Sequence, residues 1–571
     1  MRRFSSYEPV KMKKLPVGTS DFKKLIEYDK YFVDKSLLIK EIIEDEAEIL
    51  LLPRPRRFGK TLNLTMLNCF FEIAEDKEEK KTLFSGLNIE KEDVFKEYFA
   101  KYPVIYLTFK DIRSLNFKSF SSKIKILISN EFRNHLYLLE SHVLNDFDKQ
   151  LFKNIAFMES ELEFYENSLI ELSKYLHKYH KQKVVILIDE YDTPIHSAFH
   201  YGYYDECISF FKGFLGGGLK DNPDIFKGVI TGILRIAKES IFSGLNNLGV
   251  FTLLSDKFSD KFGLTQGEVD RLLKDSSNED QAKDIRAWYD GYIFGENKVY
   301  NPWSIMNYLA NIKDGFKPYW ANTASDEILR ELFKESPDSM KEEFSDLLKD
   351  IPIIKRLDDN IVLRDLQKNE ISIYSFLLFS GYLKAFGPKR DDKDEVHHKL
   401  LTPNKEVRQI FKDIILKWIN ESFENRDMQI MLKALVTGDI KLFEKILSKF
   451  VLETLSYFDT QKKNVEKVYQ AFILGMLVTL SGKYEVESEK ESGYGRYDIS
   501  IIPKDKSKKA IIMELKTIDE FENETKEQAL KSAVKQINER QYETAILKRG
   551  IKDILKLGVI FDGKRVWAKE G

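Results

Sequence analysis

Cysteine is almost absent: the 571 residues hold only Cys69 and Cys207, and these form no CxxC pair. That excludes a disulfide framework and a zinc site built from cysteine alone, and it predicts two buried thiols in a reducing compartment. A charge bias is missing too, since 90 Lys+Arg stand against 92 Asp+Glu for a formal net charge of -2. A polycation gripping nucleic acid through bulk charge is thereby excluded, and any such binding must be local. The longest clean apolar stretch, 471–480, is far too short to span a bilayer. The basic start Met1-Arg2-Arg3 runs on to Lys11, Lys13 and Lys14 with no apolar segment between, a poor export signal. Together these absences predict a cytoplasmic protein with no membrane segment. What is present, 43% hydrophobic and 13% aromatic residues, supplies sizeable cores, and the length suggests roughly two to four domains.

The first 240 residues alternate short apolar runs with amphipathic segments: Glu48-Ile49-Leu50-Leu51-Leu52, Val104-Ile105-Tyr106-Leu107, Val184-Val185-Ile186-Leu187-Ile188 and Val229-Ile230. Continuous apolar strands separated by helices predict a parallel sheet covered on both faces. From about 265 to 450 strands become scarce and the pattern is mostly helical. Beyond 480 come paired short strands, a lysine-rich turn, one helix and a last hairpin at Asp562-Gly563. The expected organisation is α/β multidomain: a nucleotide-binding domain over 1–265, a mostly helical lid or linking region over 266–454 and a third domain over 455–571. No internal repeat or low-complexity linker is found.

The first strand leads into Arg54-Pro55-Arg56-Arg57-Phe58-Gly59-Lys60-Thr61, followed by the amphipathic run 62–71. A phosphate loop needs inward backbone N–H groups at a helix N-terminus, a lysine for the β and γ phosphates and a hydroxyl for Mg²⁺. Gly59, Lys60 and Thr61 meet these needs. The opening glycine usual in such loops is replaced by Arg54, so the first turn must be made differently. Without a nucleotide, the same residues would read as a basic loop capping a helix.

The apolar strand ending at Ile188 delivers Asp189 and Glu190 at its C-terminal edge, where ligands sit in parallel sheets. Asp189 would hold Mg²⁺ together with Thr61, and Glu190 could act as general base on the attacking water. Alone, a strand ending in Asp-Glu is commonplace; with Gly59-Lys60-Thr61 upstream it becomes an NTPase signature. Six spaced motifs occur in order: Tyr31-Phe32-Val33-Asp34-Lys35-Ser36, the loop from Arg54 to Thr61, Ile188-Asp189-Glu190-Tyr191-Asp192, Ser243-Gly244-Leu245-Asn246-Asn247, Trp288-Tyr289-Asp290-Gly291-Tyr292 and Tyr300-Asn301-Pro302-Trp303-Ser304. Over roughly residues 15 to 325 the chain thus resembles the bacterial AAA-ATPase-like proteins. The resemblance implies a P-loop NTPase fold that binds ATP and Mg²⁺, with an arginine-rich loop, here Arg56 and Arg57, in place of the glycine-rich one.

Thr231 ends the strand that includes Val229 and Ile230, where related NTPases place a polar sensor of the γ-phosphate, and Arg235 follows; each reads equally as a cap or a surface charge. His196 and His200 lie four apart, but Ser197 stands where a zinc protease needs Glu, so they read as unligated histidines. His177 with His180, and His397 with His398, receive the same reading.

The second site starts at Ser492-Gly493-Tyr494-Gly495-Arg496-Tyr497-Asp498, turns through 504–508 and returns as Ala510-Ile511-Ile512-Met513-Glu514-Leu515-Lys516. Alternation puts Glu514 and Lys516 on one face and Met513 and Leu515 on the other. With 504–508 as the loop, Pro503 opposes Lys509, Asp498 opposes Glu514 and Arg496 opposes Lys516, about 5 Å apart across the strands. Two carboxylates and a lysine on one patch suit phosphodiester hydrolysis: the carboxylates bind Mg²⁺ and the lysine steadies the reacting centre. Taken alone, Glu-x-Lys is also what a salt-bridged hairpin shows. The spacing of Asp498 to Glu514-Leu515-Lys516 resembles the PD-(D/E)XK nuclease superfamily over about 455 to 571, and more particularly the nuclease domain often fused to AAA-ATPase-like domains. That resemblance implies accessory roles for Gln536 and Tyr542 and a first-helix metal ligand, Glu466, with Glu453 competing. Tyr497 stands where a proline often precedes the aspartate. Residues 461–571 hold 22 Lys+Arg and 18 Asp+Glu, an excess of +4 compatible with a phosphate backbone.

Three function classes follow: a Mg²⁺-dependent nuclease, expected to act on DNA, under an ATP-binding and ATP-hydrolysing module; a nucleotide-dependent signalling switch with a secondary or inactive nuclease; and a plain nucleic-acid binder. Intact Asp498, Glu514 and Lys516 argue against the last. Self-association into a homo-oligomer is left open.

Overall fold

The computed structural model describes residues 13–235, 241–242, 245–320, 338–348, 350–360, 363–366, 369–421, 425–454, 482–492, 495–518, 525–562 and 565–571, with 473, 476, 477 and 480. These fall into two compact units, one from the chain up to 323 and the segment 352–408, the other from 324–351 and 409–571. Among the described residues no helix is long and apolar enough to cross a membrane.

The first unit is built on five parallel strands, β1 (Ile49–Pro53), β2 (Val104–Thr108), β3 (Val184–Asp189), β4 (Ile225–Gly232) and β5 (Leu248–Val250), in the order β2-β3-β4-β1-β5. β1 and β3 are buried along their whole length, which is why each reads as an unbroken apolar run instead of an alternating one. Helices α1 (Lys60–Phe71), α2 (Phe117–Asn134) and α3 (Ser168–His180) pack on the sheet. Asn116 caps α2 by accepting from the Ser119 N–H, a cap visible in the sequence.

Two small antiparallel sheets follow that the helical periodicity did not announce. One orders β6 (Leu264–Thr265), β8 (Asn297–Tyr300) and β7 (Tyr292–Phe294) as β6-β8-β7; the other orders β9 (Ile353–Arg356), β10 (Lys384–Arg390) and β11 (Val396–Leu401) as β10-β11-β9. β6, β7 and β8 have two, three and four residues, too few to show a period of two, while β10 and β11 are longer but do not alternate in burial. The described residues of the middle also include helices, among them α4 (Pro302–Ala310), started by Asn301, whose side chain accepts from the Trp303 and Ser304 N–H groups, and α5 (Lys405–Glu421).

In the second unit, α6 (Asn425–Thr437) and α7 (Ile440–Thr454) cover one face of a mixed sheet, β12 (Tyr484–Ser492), β13 (Gly495–Pro503), β14 (Ala510–Thr517), β15 (Ile554–Asp562) and β16 (Arg565–Glu570). All neighbours are antiparallel except β14 and β15, which are parallel and joined through α8 (Lys526–Glu539) on the other face. Asp562 pairs with Arg565 at the end of the last hairpin, and Gly563 of the expected turn lies outside the described residues. Met513 and Leu515 join Ile499, Ile501 and Ile511 in the core under α6 and α7, while Ile512 and Ala510 pack against Ile537 of α8. Glu514 and Lys516 therefore face α8, as alternation requires.

Candidate functional site

The loop from β1 to α1 is shaped by its arginines and one glycine. Arg54 is fully buried: its guanidinium donates to the carbonyls of Pro53 at 2.8 Å, Phe251 at 2.6 Å and Phe258 at 3.3 Å, and lies against the Phe262 ring. Burial pulls its pKa down to about 9, so it stays charged at neutral pH. The residue in the usual glycine position thus pins the loop from behind. Arg57 takes a left-handed φ of 69° and sets its guanidinium over the Trp303 ring, 4.2 Å from the centroid. Gly59 starts α1 at φ 85°, with nothing within 4 Å of where a Cβ would stand. An L side chain is disfavoured there by the backbone, and the space beside it stays open.

Lys60, the first residue of α1, is buried and donates to the carbonyls of Arg54 at 3.0 Å and Pro55 at 3.1 Å. Burial lowers its pKa, opposed by the nearby charges of Glu190, Asp189 and Asp192. Thr61 donates its hydroxyl to Asp189 Oδ2 at 2.7 Å, and Thr231 donates to Asp189 Oδ1 at 2.8 Å. Thr108, at the end of β2, reaches the same Oδ2 at 3.4 Å. One fully buried carboxylate at the end of β3 therefore gathers hydroxyls from α1, β2 and β4. Beside it Glu190 adopts φ 51° and accepts from the Thr193 hydroxyl at 3.2 Å. Arg56 is half-buried among Glu190, Asp192, Tyr382 and Arg113; burial and the like charge of Arg113 both lower its pKa. A buried lysine held by neutral carbonyls, an open glycine N-cap and a hydroxyl–carboxylate pair form a donor set that fits a nucleotide triphosphate with Mg²⁺.

In the second unit, the pairing Ile499↔Met513 sets the register that puts Asp498 across from Glu514. Asp498 accepts from the Leu515 N–H at 2.7 Å. Glu514 is buried and accepts from the Gln536 amide, which also donates to Tyr542 Oη at 3.3 Å. Lys516 donates to Ser532 Oγ at 3.0 Å. Burial raises the Tyr542 pKa, and the charges of Glu514 and Asp498 add to the shift. Two carboxylates, one lysine and an amide thus converge where β13 and β14 meet α8, and carboxylate oxygens suit a hard divalent cation.

Comparison with known proteins follows the same division. Residues 16–242 match the family described as "Predicted AAA-ATPase", and residues 464–571 match the PD-(D/E)XK nuclease superfamily. The chain joins an AAA-ATPase-like domain to a PD-(D/E)XK nuclease-superfamily domain. A curated relative, described as an uncharacterized protein in the vnfD 5' region of Azotobacter chroococcum mcd 1, is 25% identical over 496 residues, covering 86% of this chain and 87% of that protein.

Within the AAA-ATPase-like domain the structure brings together Gly59, Lys60, Thr61, Asp189 and Thr231, and sets Arg56 near Glu190. Arg57 is engaged with Trp303 instead. In the nuclease-superfamily domain Asp498, Glu514, Lys516 and Gln536 meet, while Glu466 lies outside the described residues and Glu453 belongs to α7. The sequence reading missed Thr108, a polar residue ending an apolar strand, which is the one signal that could have found it. It also missed Asp192, which accepts from the N–H groups of Ile233 at 2.7 Å and Leu234 at 3.0 Å and pairs with His196 at 3.4 Å. Burial would raise the Asp192 pKa, but His196 and these N–H groups outweigh it and hold it low. His196 thus serves a buried carboxylate, and His177 pairs with Asp224 at 2.7 Å. Among the described residues the group of three whose ligand atoms converge is Asp391, Glu395 and His397, near the surface, where Arg356 engages Glu395. Of the family motifs, Asp34 accepts from the Ser36 and Asn88 N–H groups and Lys35 pairs with Glu268 at 2.7 Å, both structural ties.

Proposed function

We propose that the AAA-ATPase-like domain binds and hydrolyses ATP and that the nuclease-superfamily domain cleaves nucleic-acid phosphodiesters, with DNA as the substrate. The observation that carries the first half is the Asp189 carboxylate receiving both Thr61 and Thr231 beside the buried Lys60. Lys60 supplies charge to the β and γ phosphates, the backbone at Gly59 supplies N–H donors, and Arg56 stands beside the same edge. Thr61 and Asp189 would hold Mg²⁺. Glu190, next to Asp189 and accepting from the Thr193 hydroxyl, takes the proton of the attacking water.

For the second half, Asp498 and Glu514 would hold Mg²⁺, whose contribution when bound is to neutralise phosphate charge and to acidify water. Gln536 fixes Glu514 by its amide, and Tyr542 fixes Gln536. Lys516 donates to the neutral Ser532 hydroxyl, and among the described residues no carboxylate pairs with it, which supports a role for its charge at the scissile phosphate. Metal-dependent cleavage of plasmid DNA, linear DNA and RNA, each with and without ATP, tests the proposal. Cleavage of DNA that requires Mg²⁺ and is lost in Asp498→Ala is the expected result; equal turnover by that variant overturns the nuclease assignment.

A further inference from the structure

The phosphate loop is tied to the segment that closes the first unit. Trp320 donates its indole N–H to the Arg56 carbonyl at 3.3 Å, and Trp303, under the Arg57 guanidinium, donates its own to the Tyr319 carbonyl at 3.0 Å. Gly381, at φ 93°, lies so close to Pro55 that a Cβ would fall 2.9 Å from the Pro55 Cβ, and the next ring, Tyr382, packs on Trp320 at 4.9 Å. Three consecutive loop residues are therefore held, Pro55 by Gly381, Arg56 by Trp320 and Arg57 by Trp303, with Tyr382 completing the aromatic cluster around Trp320.

That cluster rests on a buried acid. The Trp320 backbone N–H donates to Glu406 Oε1 at 2.9 Å, and the Ser304 hydroxyl lies 3.0 and 2.8 Å from its two oxygens. Glu406 is fully buried, and among the described residues no lysine or arginine pairs with it. A buried carboxylate held by neutral donors is costly compared with an apolar residue. The blandest account, that it caps its own helix, does not suffice: Asn404 already accepts from the Val407 N–H at 3.0 Å, and the Glu406 carboxylate is spent on Trp320 and Ser304.

Its place in the chain gives it another role. Glu406 stands in the first turn of α5, whose residues from 409 on belong to the second unit, and Trp320 shortly precedes the point, after 323, where the chain first leaves the first unit. We propose that Trp320 and Glu406 are positioning residues that couple nucleotide binding at the phosphate loop to α5, and through it to the unit that carries the nuclease-superfamily domain. Phosphate contacts at Arg56 and its neighbours bias the Arg56 carbonyl, Trp320 follows it, and Glu406 passes the bias to the first turn of α5. The proposal rests on the reading of this loop as a nucleotide site.

The test uses the full chain and three readouts: Mg²⁺·ATP affinity by calorimetry, amide hydrogen exchange across 425–454 and 484–570 with and without ATP, and DNA cleavage with and without ATP. Trp320→Phe removes the indole N–H and keeps an aromatic ring; Glu406→Gln keeps the shape and is the second variant should the first fold poorly. In wild type ATP is expected to change second-unit exchange or cleavage by about fivefold or more, while each variant binds ATP within about threefold of wild type and loses that response. A variant that retains the full response overturns the coupling, and so does a wild type that binds ATP with no change in either second-unit readout. A wild type that binds no ATP removes the nucleotide reading itself, and that failure is told apart by calorimetry alone.

Discussion

Thr61 and Asp189, 128 positions apart in the chain, meet hydroxyl to carboxylate at 2.7 Å. This contact joins the start of α1 to the end of β3 across β4, because β1 and β3 are not neighbours in the sheet. The two halves of the proposed nucleotide site are therefore assembled by strand order, and Thr231 on the intervening β4 fills the gap between them.

Lys60→Ala removes the one buried ammonium aimed at the loop carbonyls of Arg54 and Pro55. ATP affinity is expected to fall by about tenfold or more, since a charge-assisted phosphate contact is lost, while the fold survives. Calorimetry with Mg²⁺ present, beside a thermal melt, checks this; equal affinity in both proteins sinks it.

Glu190→Gln is expected to keep ATP binding and to slow hydrolysis by about a hundredfold or more, the range for loss of a general base. Phosphate release under single-turnover conditions is the measurement. Unchanged release removes Glu190 from the reaction.

Asp498→Ala and Glu514→Ala should each abolish cleavage and leave DNA binding intact or stronger, because a carboxylate facing a polyanion repels it unless a cation intervenes. Lys516→Ala should lower catalysis while retaining the metal dependence, with slightly weaker binding. Metal titration of each variant beside filter binding on the same DNA separates the two behaviours.

Glu406 gives a pH signature. Burial pushes its carboxyl up to about 7, against the N–H of Trp320 and the Ser304 hydroxyl. The titratable groups around it are Tyr289, Tyr292 and Tyr319, whose own pKa values burial raises, so they stay protonated near neutrality. The folded protein therefore keeps a proton that the unfolded chain has released, and the associated stability is present below about pH 4.5 and lost as pH rises through 7. Glu406→Gln should gain on wild type between pH 5 and 8 by on the order of 2 kcal/mol. Urea midpoints of both proteins at the two pH values test it; parallel curves refute it.

The facing of Asp498 and Glu514 was legible because hairpin register is local: counting outward from a loop at 504–508 places one against the other, and the observed pair Ile499↔Met513 is the same register. Gly59, Lys60, Thr61 and Asp189 were legible for a similar reason, each sitting where an apolar strand ends. Alternation failed at Tyr497, which packs with Ile502 and Ile512 although strict period two puts it on the other face. Arg54 and Trp320 were not legible at all. Arg54 reaches a carbonyl 197 positions away, and Trp320 reaches one 264 positions away, through contacts that leave no periodic trace in sequence. The acid at 406 looked like any charge in the first turn of a helix.

The parallel pairing of β14 with β15 also sets an order of events during folding. β13 and β14 form a hairpin from neighbouring residues, so Asp498 and Glu514 come together early and locally. β15 can join β14 only after the chain has crossed over through α8, a closure that local contacts do not reward until it is complete. Gln536 and Ser532 arrive with that crossover, so Glu514 and Lys516 acquire their partners last. Until β15 has joined the sheet, the hairpin carries both acids without the amide and hydroxyl that α8 brings to Glu514 and Lys516.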